Sequence, residues 1–178
     1  MTEPSTCDLI LASAERRART GGYHGFSFRE IADEIGVKSA SIHYHFPAKE
    51  DLGAVLARRY ADRFLERLGP PDAATPDERI ARYKATFRAA VAEDGRMCLC
   101  GMFGAEITAL PARVAEETRD FFARNLLWLA AVEARRGHGE DAAQVRAATI
   151  LAALEGAIIL SRTMGDLAFF DRVADNLG

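Results

Sequence analysis

The most constraining stretch of this chain is residues 27–49, SFREIADEIGVKSASIHYHFPAK. Ser27 is followed three residues later by Glu30. This is the S-x-x-E capping box, in which hydroxyl and carboxylate each satisfy a backbone N–H orphaned at a helix start. The pattern predicts a first helix over Phe28–Ile35, with Ile31, Ala32 and Ile35 as its apolar stripe and Arg29, Asp33 and Glu34 in solvent. Gly36 stops it by supplying the positive φ that a sharp reversal needs, and Val37 fills the angle. Ser39 is read as the cap of a second helix over 40–46, anchored inward by Ile42 and Phe46. What this second helix leaves outward is small or able to hydrogen-bond: Ala40, Ser41, His43, Tyr44 and His45.

A DNA major groove accepts such a face, because small residues allow close approach to base edges while rings and hydroxyls reach bases or phosphates. Between Glu34 and Glu50 the chain carries Lys38 and Lys49 and no acid, so the local field is positive although the whole chain has a net charge of −3. Lys49 opens the next predicted helix, Lys49–Leu68, where free backbone N–H groups also face anions, so a phosphate contact is its functional reading.

These residues resemble the TetR-type bacterial transcriptional regulators. The resemblance rests on Gly22-Tyr23, Phe26-Ser27-Phe28, Ile31-Ala32, Gly36-Val37, Ser39, Ile42-His43-Tyr44-His45-Phe46 and Lys49-Glu50-Asp51-Leu52, and covers roughly the first third of the chain. It implies an all-α fold in which a three-helix head, residues 1–48, precedes a larger helical ligand-binding and dimerisation domain, residues 49–178, with Lys49–Leu68 as the connecting helix. It also implies operator DNA as partner, contacted by Ser27, Lys38, Ser39, Ala40, Ser41, His43, Tyr44, His45 and Lys49. One departure stands out. Glu15-Arg16-Arg17-Ala18-Arg19 is more charged than the usual second half of the family's first helix, which is expected to thin the small core there.

The rest of the chain reads as helix. Residues 7–20 carry Leu9, Ile10, Ser13, Ala14 and Arg17 along one side, end at Gly21-Gly22, and are expected to pack across the helical pair. Pro47 breaks the second helix of the pair. Lys49–Leu68 has an apolar stripe of Leu52, Val55, Leu56, Tyr60, Phe64 and Leu68. A loop follows at Gly69-Pro70-Pro71-Asp72-Ala73-Ala74, and Thr75-Pro76-Asp77-Glu78 opens another capped helix. Helices are predicted over Pro76–Ala92, 97–109, 111–136, 140–165 and 167–177. No strand-like alternation or internal repeat competes.

Bulky apolar residues in this second region, among them Phe87, Met102, Phe103, Phe122 and Trp128, fill a core and are candidates to line a cavity. The resemblance implies an effector pocket there. Phe87, Cys98, Met102, Phe103, Glu106, Phe122 and Trp128 are its candidate residues, and Tyr83 and Arg124 are possible polar contacts. Residues 140–165 are rich in alanine, and in the resembled family the last two helices pair across a two-fold axis. A homodimer through residues 140–177 is therefore expected, with Leu151, Leu154, Ile158 and Ile159 as apolar contacts.

Cys98 and Cys100 have two readings. They are small buried hydrophobes, or thiols that sense oxidants or electrophiles, with Arg96 the nearby cation. No metal site or cofactor is expected, since the four histidines lie in the head or in the Gly137-His138-Gly139 turn and no His-Cys cluster forms. No G-x-S-x-G, P-loop, G-x-G-x-x-G or H-E-x-x-H motif is present, so an enzyme is not expected. With no export signal or uninterrupted apolar run, a cytoplasmic location without membrane contact is expected. The sequence thus points to a ligand-responsive regulator, which the resemblance makes a repressor that binds a palindromic operator as a dimer and is released by a small apolar or electrophilic effector; the alternatives are a redox or electrophile sensor using Cys98 or Cys100, and a constitutive DNA-binding protein without effector.

Overall fold

The computed structural model describes residues 4–92 and 95–177. Among them are nine α-helices and no strand: α1 (Thr6–Gly21), α2 (Phe28–Ile35), α3 (Ser39–His45), α4 (Lys49–Leu68), α5 (Pro76–Ala92), α6 (Leu99–Ala105), α7 (Ala112–Arg135), α8 (Glu140–Met164) and α9 (Leu167–Asp175). They form two compact units. The first is Met1–Tyr60 with Leu99–Arg119, and the second is Ala61–Cys98 with Asp120–Gly178. The boundary expected after residue 48 follows the chain, whereas the packing unit that holds the helical pair also takes in the start of α4, all of α6 and the start of α7.

The first unit is built around the predicted pair. Ser27 caps α2 by accepting the Glu30 N–H at 3.3 Å and donates its hydroxyl to the Glu30 carboxylate at 2.7 Å, closing the capping box. Gly36 ends α2 in the left-handed region at φ 72° and its N–H returns to the Ala32 carbonyl. Ile31 and Ile42 are fully buried with Ile10, Ala14 and Ala18 of α1. The basic run of α1 does not thin this core. Arg16 and Arg17 reach across to Glu34 on α2, with Arg17 Nε 2.8 Å from its carboxylate, while Ala18 beside them is buried. The Arg16 hydrogen bond, seconded by Arg17, holds the Glu34 carboxyl down at about 2.

Several expectations shift by a residue. Helix α3 starts at Ser39 with Lys38 as its N-cap, because the reversal leaves Lys38 extended and its carbonyl accepts the Ser41 N–H at 2.9 Å. Ser39 therefore lies inside the first turn and does not cap. In α1 the buried side is Ile10, Leu11, Ser13, Ala14, Ala18 and Arg19, so Leu9 faces water. On α4, Val55 is exposed, and Ala54, Ala57 and Ala61 are buried in its place beside Leu52 and Leu56. Helix α6 is shorter than predicted. Met97 and Cys98 precede it in non-helical backbone, and after Ala105 the chain turns through three-residue bonds such as Glu106 N–H to Phe103 O.

In the second unit the core is aromatic. Phe64 of α4 meets Tyr83, Phe87 and Phe121 edge-on at centroid distances of 5.8, 5.1 and 5.5 Å, and Tyr83 stacks on Trp128 at 5.5 Å. Helix α9 packs on α8, with Phe170 fully buried. Glu133 is buried and accepts from Arg146 Nε at 2.6 Å, with Arg136 and His138 also in range. Helix α8 is long and apolar enough by composition to cross a membrane, with a mean hydropathy of 1.5 over its most apolar window. Its buried face, Ala143, Ala147, Ile150, Leu151, Leu154, Ala157 and Ile158, identifies it as a core helix of this unit.

Candidate nucleic-acid interface and effector core

Helix α3 is seven residues long and spends only Ile42 on the core. Lys38, Ser39, Ala40, His43, Tyr44 and His45 are all exposed, and Ser41 is half-buried. Tyr44 is 85% exposed, its ring edge-on to His45 at 5.3 Å. His43 is steadied by Phe28 at 4.8 Å between centroids, and its Nδ1 lies 3.4 Å from the Pro47 carbonyl oxygen. Small, hydroxyl-bearing and imidazole side chains thus stand exposed from Lys38 to His45 around the one buried residue, Ile42. Ser27 is engaged in its capping box at one edge.

Lys49, expected as a phosphate contact, packs on aromatic rings. Its ammonium lies 4.7 Å over both the Tyr23 and the Phe26 rings and is half-buried. Burial lowers its pKa, opposed by the charges of Glu30 and Glu106. The lysine thus ties the start of α4 to the 3₁₀ turn Tyr23–Gly25 between α1 and α2.

The effector candidates divide between the units. Met102, Phe103 and Glu106 belong to the first, and Phe87, Cys98, Phe122 and Trp128 to the second. Glu106 accepts the Tyr23 backbone N–H at 2.7 Å, and Phe103 meets the Tyr23 ring edge-on at 6.1 Å. A Cβ at Gly22 would overlap the Glu106 carboxylate, and Gly22 also needs φ 69°. Glu106 is therefore a latch between α6 and the head turn. Of the possible polar contacts, Arg124 is held on the surface by Asp62 at 2.8 Å and Asp120 at 3.2 Å.

Within the second unit, Tyr83, Cys98, Phe87 and Trp128 do come together. The Tyr83 hydroxyl donates to Asn125 Oδ1 at 2.8 Å, and Asn125 Nδ2 donates to the Phe121 carbonyl at 2.7 Å. Trp128 donates its indole N–H to Gly69 O at 2.8 Å. Burial, then the charges of Glu155 and Cys98, raise the Tyr83 pKa well above its ordinary value. Sequence reasoning missed Glu155. Both its carboxyl oxygens are buried, neither has an N–H or O–H partner among the described residues, and only the Cys98 thiol offers a hydrogen bond. Burial pushes this carboxyl up to about 7. Its one sequence signal is a lone acid in the apolar middle of α8.

A capped helix, a left-handed glycine and a short helix with an exposed polar face, joined to a wholly helical remainder, define a helix-turn-helix regulator. Comparison with known proteins specifies the class. Residues 10–54 match the bacterial regulatory proteins of the tetR family, and residues 76–176 match the LmrA/YxaF-like transcriptional regulator C-terminal domain. A TetR transcriptional regulator from Legionella pneumophila is 31% identical, with a TM-score of 0.94 over 99% of this chain and 97% of that one. A TetR-family regulator from Agrobacterium tumefaciens is also 31% identical, with a TM-score of 0.85 over 94% and 93% of the two chains. The reduced form of Escherichia coli NemR shares the fold at 19% identity, with a TM-score of 0.79 over 97% and 95%. No match is found among functionally curated proteins. The chain belongs to the TetR family of bacterial transcriptional regulators. DNA binding, dimerisation and a ligand-binding domain are typical of that family.

Proposed function

We propose that this regulator is a cytoplasmic, dimeric repressor that binds a palindromic operator and is released by a small effector held in its second unit. The observation that carries the DNA reading is the face of α3, from Lys38 to His45, which is exposed side chain by side chain apart from Ile42 and the half-buried Ser41. Ala40 and Ser41 allow the helix start to approach base edges, His43 and Tyr44 supply specific contacts, and Lys38 reaches phosphate. Ser27, Ser39, His45 and Lys49 are the flanking contacts, with Lys49 doubling as a structural tie. A selected duplex titrated with wild-type protein and Tyr44→Ala tests this, and equal affinities would refute the assignment.

The dimer reading rests on α8. Val145, Ala148, Ala152, Ile159 and Leu160 are exposed along it, and Gly156 lies among them. Nothing lies within 4 Å of a Cβ placed at Gly156, so packing inside the protomer gives no reason for a glycine there. A second α8 crossing closely would. Leu151, Leu154 and Ile158, expected as interface contacts, are instead buried inside the protomer; Ile159 alone of the four faces outward.

Chain connectivity offers two routes from effector to operator. Helix α4 gives Lys49 to Tyr60 to the first unit and the rest, including Phe64, to the second. Cys98 ends one segment of the second unit and leads directly into α6, behind which Glu106 holds Tyr23. An effector that repacks Phe64 or displaces Cys98 pulls on elements of the head, and the two states need differ by only a few kcal/mol. Thiol sensing is a second reading. Its candidate is Cys98, whose thiol hydrogen-bonds the Glu155 carboxyl; Cys98 is 2% exposed and Cys100 fully buried, so an oxidant or electrophile reaches either thiol only when the core opens. Cys98→Ser would then abolish release by oxidants or electrophiles while leaving operator affinity intact.

A further inference from the structure

Among the described residues, every arginine of α5 is engaged. Arg79 donates to the Leu68 carbonyl, Arg82 to the Arg67 carbonyl at 2.6 Å, and Arg88 grips the Asp171 carboxylate at 2.6 and 2.9 Å. Lys84, on the same helix and half-buried, makes no hydrogen bond or ion pair with any described residue. It lines a groove of about 430 Å³ walled by α5, the residue that follows α7, and α9. The floor of this groove is apolar, with Ile80 and Phe170 at 2% and 0% exposure and Ala174 beside them. Arg136 stands on its wall, with its guanidinium engaged by Asp77 and Glu133. Burial lowers the Lys84 pKa, and the charge of Arg136 adds to this while that of Asp175 opposes it. Two cations thus share one concavity over an apolar floor, and one of them keeps its donors unspent.

We propose that the groove between α5 and α9 is a binding site for a small carboxylate with an apolar body, its charge received by the Lys84 ammonium and its body lying on Ile80, Phe170 and Ala174. The size of the groove is that of a small-ligand site, and an apolar surface with a single convergent charge is the usual design of one. A monoanion fits better than a phosphate dianion. Asp77, Asp171 and Asp175 also line the groove, and their repulsion of a second negative charge exceeds what one unpaired ammonium offsets. The site shares no residue with the aromatic core around Tyr83, Phe87 and Trp128, so it is separate from the effector reading above and does not depend on it. A ligand held there bridges α5 to α9, and α9 packs on α8.

The test titrates the intact chain with sodium octanoate and, as the uncharged control, 1-octanol. Calorimetry reads the affinity, and the methyl NMR signals of Ile80 and Ala174 locate the site. The expected result is saturable binding of octanoate, at least about tenfold tighter than octanol, with both methyl signals shifting along the same isotherm. Lys84→Gln should lose that preference, Lys84→Arg should keep it, and Asp175→Asn should bind octanoate at least as tightly as the parent; melting curves report that each variant is folded. Absence of octanoate binding, equal binding of the two probes, or a preference that survives in Lys84→Gln would overturn the proposal. So would binding that moves the signals of Phe87 and Trp128 and leaves Ile80 and Ala174 unmoved, since the ligand would then occupy the aromatic core. Operator binding and effector release are not read in this experiment, so its failure leaves the proposed function standing.

Discussion

Tyr44 holds a large ring 85% exposed on a seven-residue helix that buries only Ile42. Replacing it removes little that the fold uses. Tyr44→Ala is expected to change stability by no more than an ordinary surface substitution, about 0.5 kcal/mol, while weakening specific duplex binding at least about tenfold. Gel shift and thermal melting of the same sample separate the two effects. Lys38→Ala is expected to weaken binding to all sequences alike and to flatten the salt slope by about one. Lys49→Ala should instead destabilise the head, because the ammonium sits over Tyr23 and Phe26. Glu155 gives a pH signature. Its folded value of about 7 lies above the ordinary 4.5, so the native state binds more protons between those values. Its contribution to stability therefore falls as pH rises through that window and is flat above it, a loss of about 3 kcal/mol. In denaturant titrations from pH 4 to 8, Glu155→Gln should lack this component and exceed the wild type above pH 7. Parallel curves for the two proteins would contradict the assignment. Glu34 has the opposite sign, contributing stability above its ordinary range and losing it as pH falls toward 2.

At the scale of elements, much was legible because short-range chemistry decides it. The capping box at Ser27 and Glu30, the stop at Gly36 and the restart at Pro76 each involve residues within four positions, and each element begins or ends where those residues place it. What was not legible depends on partners far along the chain. Leu9 and Ile10 both fit the predicted stripe of α1, and which of them is buried is decided by the elements packed against it, α2, α3, α6 and the 3₁₀ turn. Arg16 and Arg17 read as surplus charge until Glu34 is seen opposite them. Glu155 went unread because Cys98 and Tyr83, the residues that interact with it, lie far along the chain. The same logic gives a test of the turn. Gly36 sits at φ 72° with nothing within 4 Å of an added Cβ, so Gly36→Val should cost the left-handed penalty alone, about 1–2 kcal/mol, read as a shift in denaturant midpoint at unchanged slope.

For the molecule as a whole, we propose a dimer that presents two copies of α3 to a palindromic duplex and loses that geometry when an effector repacks the core of the second unit. Gly156→Arg should place a charge on the exposed stripe of α8 without disturbing the protomer, since the space beside Gly156 is open. Light scattering is expected to find a dimer for the parent and a monomer for the variant, and the variant should lose operator binding although α3 is unchanged. The most direct measurement is selection of duplexes from a random pool by the wild-type protein, followed by affinity titration of the recovered site with wild type and Tyr44→Ala. The expected result is a two-fold symmetric site bound tightly by the wild type and at least about tenfold more weakly by the variant. Recovery of no preferred sequence, or of one that both proteins bind equally, would contradict it.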